Sequence, residues 1–246
     1  MLPLERQNRI LEILAVRKAV SVEELCRELY SSGATIRRDL AYLENSGLLC
    51  RTHGGAVRME ESGRDFPLLL RESENTISKD IIARRALELL EDGQTVFMDA
   101  SSTVCCLAER ITGFQKLRVI TNGLKTAGIL AEKDGVEVYC TGGRLRGNAK
   151  SFVGASAIEF VSHFHADAVF FSCRGVCSQA GVTDASEDEA NLKRAYLHHA
   201  RRGILLADAS KLEQQYFSRI CSLEEIDTLI SDKPLVPPFD KKAKRT

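Results

Sequence analysis

The spacing of apolar residues changes character once along the chain. Near the start they recur every three or four positions: Ile10, Leu11, Ile13 and Leu14 within residues 4–16, then Leu25 and Leu29, then Ile36, Leu40 and Leu43. That spacing lines one face of a helix, so short helices sharing a small core are predicted. Ser21, with Glu24 three residues on, makes a capping box for the second helix, and Val20 ahead of it can pack back over the first turn. Tyr30-Ser31-Ser32-Gly33 is the turn, and Ser32 is the N-cap of the third helix. That helix stops near Ser46-Gly47, where glycine suits the position after a last helical turn. Leu48–Thr52 and Ala56–Arg58 then read as short strands about a His53-Gly54-Gly55 turn.

Residues 59–77 are charged and poorly periodic, contain Gly63 and Pro67, and read as a linker. A helix begins near Ser78 and ends at Asp92-Gly93. From there the pattern switches to short apolar runs at Thr95–Met98, Leu117–Thr121, Val136–Thr141, Ala168–Cys173, Gly203–Ala207 and Thr228–Ser231. Helical stretches at 103–111, 124–133, 155–164 and 187–200 separate most of them. Alternation of this kind predicts an α/β domain with a mostly parallel sheet and helices on both faces. Residues 233–246, with Pro234, Pro237-Pro238 and a basic end, read as a flexible basic tail. The domains expected are therefore 1–58, a linker 59–77, 78–232 and the tail 233–246.

Composition narrows the class. At 246 residues, 44% hydrophobic and 28% charged, the chain is that of an ordinary soluble protein with room for two domains. Its apolar runs fall far short of the ~20 residues that cross a bilayer. The start, Met-Leu-Pro-Leu-Glu-Arg, lacks a signal-peptide layout. The eight cysteines are scattered without a C-x-x-C pair, so a cytoplasmic chain with reduced thiols, no metal and no cofactor is expected. Net charge is formally zero, and residues 1–58 hold nine Lys/Arg against seven Asp/Glu. Any affinity for nucleic acid must then come from placement and dimerisation rather than bulk charge.

Placement is favourable. Thr35, Arg37, Arg38 and Tyr42 fall off the apolar stripe of the third helix. A basic helix followed by a small basic hairpin is the pattern of a winged helix-turn-helix, with the helix in the DNA major groove. Ser32, Thr35, Arg37, Arg38, Arg51, His53 and Arg58 form the candidate DNA-binding set. His53 has no second ligand at metal spacing and reads as a turn residue near phosphates.

In the second domain the informative places are the loops after the strands, where ligands sit in such sheets. Asp99-Ala-Ser101-Ser102-Thr103 runs into a helix, and hydroxyls and backbone N–H groups there suit a phosphate. Thr121-Asn122, Thr141-Gly142-Gly143-Arg144, Arg174-Gly175, Gly181–Asp184 with Glu189 and Lys193, and Asp208–Lys211 follow the other strands. Any one such loop is more readily a helix cap; several meeting at one sheet edge favour a ligand. Carboxylates at Asp99, Asp184 and Glu189 suit sugar hydroxyls, while Lys193 and Lys211 suit an anion. The ligand implied is a phosphorylated sugar or polyol.

Thr35-Ile-Arg-Arg-Asp-Leu40 followed by Arg51-Thr-His-Gly-Gly-Ala56 resembles the signature of the DeoR/GlpR-type bacterial transcriptional regulators. Phe97–Thr103, Thr121-Asn122, Gly142–Arg144, Ser151–Gly154, Gly181–Asp184, Glu187–Lys193 and Asp208–Lys211 resemble the effector domain of the same family, so the likeness runs from about residue 4 to residue 232. It implies a sensor fold similar to ribose-5-phosphate isomerase and glucosamine-6-phosphate deaminase. The turn Tyr30-Ser31 departs from the family's usual Gly-Val, and Ser101 stands where members often carry glycine.

Two functions are then expected to compete. One is a DNA-binding repressor of sugar or polyol catabolic genes, a homodimer or homotetramer on double-stranded operator DNA, tuned by a phosphorylated sugar. The other is a sugar-phosphate isomerase or deaminase in which Asp184, Glu189 and Lys193 move protons. A metabolic enzyme has no need of the N-terminal module.

Overall fold

A computed structural model describes residues 2–17, 19–46, 48–52, 54–57 and 67–240. The chain divides into two compact units, residues 1–74 and 75–246.

In the first unit, helices α1 (Pro3–Arg17), α2 (Val22–Leu29) and α3 (Gly33–Asn45) surround one core. Ile10, Leu11, Leu14, Leu25, Leu29, Ile36, Leu40 and Leu43 are all buried in it, as the periodicity predicts. The capping box is present: Ser21 N–H donates to Glu24 Oε2 at 2.8 Å, and Glu24 N–H donates to Ser21 Oγ at 3.2 Å. The Ser21 hydroxyl, donating to Glu24 Oε2 at 2.7 Å, and the Ser21 N–H hold the Glu24 carboxyl below its ordinary range. Ser32 caps α3 by accepting from Thr35 N–H. A buried ion pair, Arg6 Nε to Asp39 Oδ2 at 2.5 Å, ties α1 to α3.

The wing has one strand more than the sequence suggests. Strands β1 (Ala19–Ser21), β2 (Cys50–Thr52) and β3 (Gly55–Val57) form an antiparallel sheet in the order β1-β3-β2. A three-residue strand between two helices leaves no period to read, which is why β1 passes as a loop. The segment expected to be a linker contains a helix: α4 (Leu68–Ser73) places Leu70 in the first unit's core. The apolar Leu68-Leu69-Leu70 run drives that packing. Gly47, His53 and residues 58–66, including Arg58, lie outside the described residues.

The second unit comprises α5 (Thr76–Leu87), β4 (Thr95–Met98), α6 (Ser102–Arg110), β5 (Leu117–Thr121), α7 (Leu124–Ala131), β6 (Val136–Cys140), β7 (Arg144–Arg146), β8 (Ser151–Val153), α8 (Ala155–Ser162), β9 (Ala168–Phe171), β10 (Gly175–Cys177), β11 (Gly181–Asp184), α9 (Glu187–His199), β12 (Gly203–Leu206), β13 (Ser218–Cys221) and β14 (Thr228–Ile230). All six predicted strands join one parallel sheet ordered β14-β12-β9-β4-β5-β6. Successive residues of a strand face opposite sides, and the two cores obey this. Val96, Met98, Ala168, Phe170, Ile204 and Leu206 pack with α5, α6 and α7 on one face. Phe97, Val169, Phe171 and Leu205 pack with α8 and α9 on the other.

That second face differs from the expected helical layer. It is also covered by a small antiparallel sheet, β10-β11-β13, whose Val176, Val182 and Ile220 are buried. The expected tail differs too: Leu235 and Phe239 pack on this core, Phe239 being 5% exposed, because two apolar side chains outweigh the surrounding prolines. Residues 241–246 lie outside the described residues.

Candidate functional site

On α3 the inward and outward positions separate cleanly. Ile36, Asp39 and Leu40 are buried, whereas Arg37, Arg38 and Tyr42 are exposed. Ser32 is exposed, with its hydroxyl 2.9 Å from Thr35 Oγ1 at the helix start. Arg51, on the wing, lies beside Glu44, whose Oε1 accepts from Arg51 N–H at 2.9 Å. Five of the seven candidate DNA-binding residues are thus on the described surface, and His53 and Arg58 are the two outside it.

In the second unit the strand order itself marks a crevice. From β4 the chain moves outward through β5 and β6, then returns to β9 and moves the other way through β12 and β14. The switch point lies between β4 and β9, and ligands bind beyond the carboxyl ends of strands at such a point. Asp99 follows β4 and Ser172 follows β9, and they meet there. Asp99 Oδ2 accepts from Ser172 N–H at 3.0 Å, and Asp99 Oδ1 accepts from Ser101 N–H at 2.9 Å.

A buried charge cluster is built on this pair. Lys193, on α9, reaches Asp184 Oδ2 at 2.6 Å and Asp99 Oδ2 at 3.4 Å. Burial alone would lower the Lys193 pKa, but the carboxylates of Asp184, Asp99 and Glu189 outweigh it and hold the ammonium protonated. Glu189 Oε1 accepts from Arg146 at 3.0 Å and from the Ser151 hydroxyl. Burial nonetheless pushes the Glu189 carboxyl above its ordinary range. Lys211 stands on the other side of Ser172, donating to Ser172 Oγ at 2.8 Å with Asp208 at 3.8 Å. Lys193 is therefore a counter-ion of the carboxylates, and Lys211 is the cation with the looser pairing.

Helix α6 begins at the same place. Ser101 caps it by accepting from Val104 N–H at 3.2 Å. Thr103, the second residue of the helix, is 1% exposed, and its hydroxyl finds no partner among the described residues. A buried hydroxyl without a partner is costly, and a ligand oxygen at the helix N-terminus would supply one.

Comparison with known proteins identifies both units. Residues 74–233 match the DeoR C terminal sensor domain, and residues 6–62 match the DeoR-like helix-turn-helix domain. The chain belongs to the DeoR family. Among its relatives, the HTH-type transcriptional regulator GlpR of Haloferax volcanii is 40% identical over 235 residues, covering 96% of this chain and 92% of that one. The HTH-type transcriptional repressor GlcR of Bacillus subtilis is 35% identical, with 93% and 88% covered. The Glycerol-3-phosphate regulon repressor of Escherichia coli is 31% identical, with 95% and 92% covered. Ribose 5-phosphate isomerase A of Methanocaldococcus jannaschii overlaps 56% of this chain and 55% of its own, at 14% identity and a TM-score of 0.40.

As a DeoR-family transcriptional regulator the chain thus pairs a DNA-binding unit with a sensor domain. The structure distributes the predicted sensor residues unevenly. Asp99, Ser101, Asp184, Glu189, Lys193 and Lys211 gather at the switch point, and Ser102 and Thr103 follow Ser101 in the first turn of α6. Thr121 Oγ1 instead accepts from Gly123 N–H at 3.0 Å, stiffening its own turn. Asn122 accepts from Tyr196 Oη at 3.3 Å and donates to Phe152 O at 3.1 Å, so its amide locks a strand to a helix and a hairpin. Arg144 is on the surface, paired to Asp188 at 2.5 Å.

Two predicted glycines have packing reasons. A Cβ on Gly143, whose φ is +97°, would stand 2.8 Å from Val153 O; one on Gly175 would stand 2.3 Å from Gln214 O. Sequence reasoning missed Ser172 and Arg146, and met Ser151 only within the family resemblance, with no role for its hydroxyl. Ser172 hides inside an apolar run, and Arg146 and Ser151 belong to the β7-β8 hairpin, too short to show alternation. Cys173, next to Ser172, is no nucleophile, since burial pushes its thiol up to about 12.

Proposed function

We propose that this DeoR-family regulator is a non-enzymatic repressor of sugar or polyol catabolic genes. Its sensor pocket takes a phosphorylated sugar or polyol whose binding changes operator affinity. The observation that carries the ligand class is the pairing of a partnerless buried Thr103 hydroxyl at a helix N-terminus with the Lys211 ammonium and the buried carboxylates of Asp99 and Asp184. The first two complement a phosphate; the carboxylates accept from sugar hydroxyls. Lys193 is ion-paired to two carboxylates and held protonated, which suits a binding site rather than a proton-abstracting base. This favours a regulator over an isomerase.

The reading includes a route out of the pocket. Asn75 opens the sensor unit, and its side-chain amide donates to Asp208 Oδ1 at 3.3 Å and Ser210 Oγ at 3.2 Å, in the loop that carries Lys211. A ligand that draws Lys211 away from Ser172 moves that loop and, through it, the residue where the DNA-binding unit joins. The protein acts as a cytoplasmic homodimer or homotetramer that places two wings on half-sites whole helical turns apart, about 10 base pairs each.

Incubation with a panel of sugar and polyol phosphates tests both halves. A rise in thermal midpoint with one or a few of them, and no turnover, is expected. Turnover well above background would transfer the site to an enzyme. No rise with any of them would remove the phosphate ligand.

A further inference from the structure

Tyr30 ends α2 in the left-handed region, at φ 48° and ψ 45°. A side chain with a Cβ crowds the following carbonyl there, so glycine and asparagine predominate at such caps. A bulky residue in that conformation is an outlier. Packing of the ring would offset the strain, yet Tyr30 is 94% exposed, more than any other large hydrophobic side chain among the described residues. The turn around it is pinned: Ser31 N–H donates to Cys26 O at 3.2 Å, and Ser31 Oγ donates to Leu29 O at 3.1 Å. The chain therefore holds an aromatic side chain in solvent, on a fixed and strained anchor, two residues before the N-cap of α3.

That position has a meaning in this motif. The start of the second helix of a helix-turn-helix enters the major groove while the first helix crosses the backbone, so the turn between them runs along the groove wall. Strained residues that pack against nothing in the free protein collect at functional sites. We propose that Tyr30 is a DNA-contact residue, its hydroxyl donating to a phosphate oxygen and its ring lying along the adjoining deoxyribose. The inference rests on reading α2 and α3 as the helix-turn-helix, and the test separates the two.

Full-length wild type, Tyr30→Gly and Tyr30→Phe are titrated, at one salt concentration, against a duplex that the wild type selects from a random pool. The same is done with an unrelated duplex of equal length, and thermal midpoints are recorded. Tyr30→Phe should bind roughly fivefold more weakly, the scale of one lost hydrogen bond. Tyr30→Gly should bind roughly tenfold more weakly on both duplexes, because a phosphate contact carries no sequence information. Its midpoint should equal or exceed that of the wild type, since glycine relieves the left-handed strain. Affinity within twofold of wild type for Tyr30→Gly, or weaker binding with a lowered midpoint, would overturn the contact and leave Tyr30 a structural cap. Weakening on the selected duplex alone would overturn the phosphate assignment in favour of a base contact. Wild type that selects no duplex from the pool would refute the helix-turn-helix reading itself.

Discussion

Thr103 offers the sharpest residue-scale test of the pocket, because stability and ligand affinity should respond in opposite directions. Its buried hydroxyl has no partner, so Thr103→Val removes a desolvated polar group and should stabilise the protein by ~1 kcal/mol. If the hydroxyl serves a ligand, the same change lowers effector affinity; chemical denaturation and ligand titration together read both. Glu189 gives a second test through pH. Its folded-state carboxyl is raised by burial, so its contribution to stability is fully present below the unfolded pKa and is lost as pH rises through the folded one. Glu189→Gln lacks this titration. Wild type should therefore lose stability relative to Glu189→Gln as pH climbs from about 4, the ordinary glutamate range. Denaturation midpoints of the pair across pH measure it, and wild type that gains stability relative to Glu189→Gln on alkalinisation contradicts the buried-carboxyl assignment. Asp39 shows how misleading one residue can be. It sits in the Arg-Arg-Asp run of the recognition helix, yet it points inward to Arg6.

At the scale of elements, the loop into α6 is a helix cap and, in the proposed function, also a binding surface, and substitutions at Ser101 test the cap. Ser101→Ala loses the acceptor for Val104 N–H and should cost ~1 kcal/mol, whereas Ser101→Gly should cost only a few tenths. Thermal denaturation distinguishes the two, and equal losses would mean that the cap bond is not what Ser101 supplies. The elements were legible where a helical period or an unbroken apolar run marked them. The parallel strands, α1, α3 and α9 each carry several turns or a full apolar run, and their predicted bounds are close to the observed ones. The elements missed are β1, β7, β8 and the β10-β11-β13 sheet, in which polar residues and glycines interrupt any apolar run, and the six-residue α4, which sits in a charged segment. The site followed the same rule. Asp99, just past the apolar β4 run, could be placed, and Asp184 was placed from its Gly-Val-Thr-Asp loop although its strand went unseen; Arg146 and Ser151 belong to a hairpin that shows no apolar run. Glycines misled for a physical reason: Gly175 answers to a neighbouring backbone oxygen as a ligand-cradling glycine would answer to a phosphate.

At the scale of the whole molecule, the division into two units predicts that their functions separate by mutation. Arg38→Ala, on the exposed face of α3, should weaken operator binding and leave effector affinity unchanged. Lys211→Ala should retain operator binding and lose the response. Asn75→Ala should do something neither of these does: bind both partners and fail to connect them, because it removes the bonds to Asp208 and Ser210 without touching either surface. Allosteric coupling of ~1–3 kcal/mol, about 5- to 150-fold in affinity, is the span available for that response. A chain of zero net charge has no bulk attraction for DNA to mask a change of this size.

The most direct measurement is operator affinity with and without each member of a sugar-phosphate panel, by mobility shift at fixed salt, for wild type and Lys211→Ala side by side. Salt must be constant because each phosphate contact moves log affinity by about 0.9 per decade of salt. The account predicts that one phosphorylated sugar or polyol changes wild-type affinity at least fivefold, within the coupling range above, and leaves Lys211→Ala unmoved. Operator binding that no phosphorylated compound alters, or that responds equally in Lys211→Ala, would contradict it.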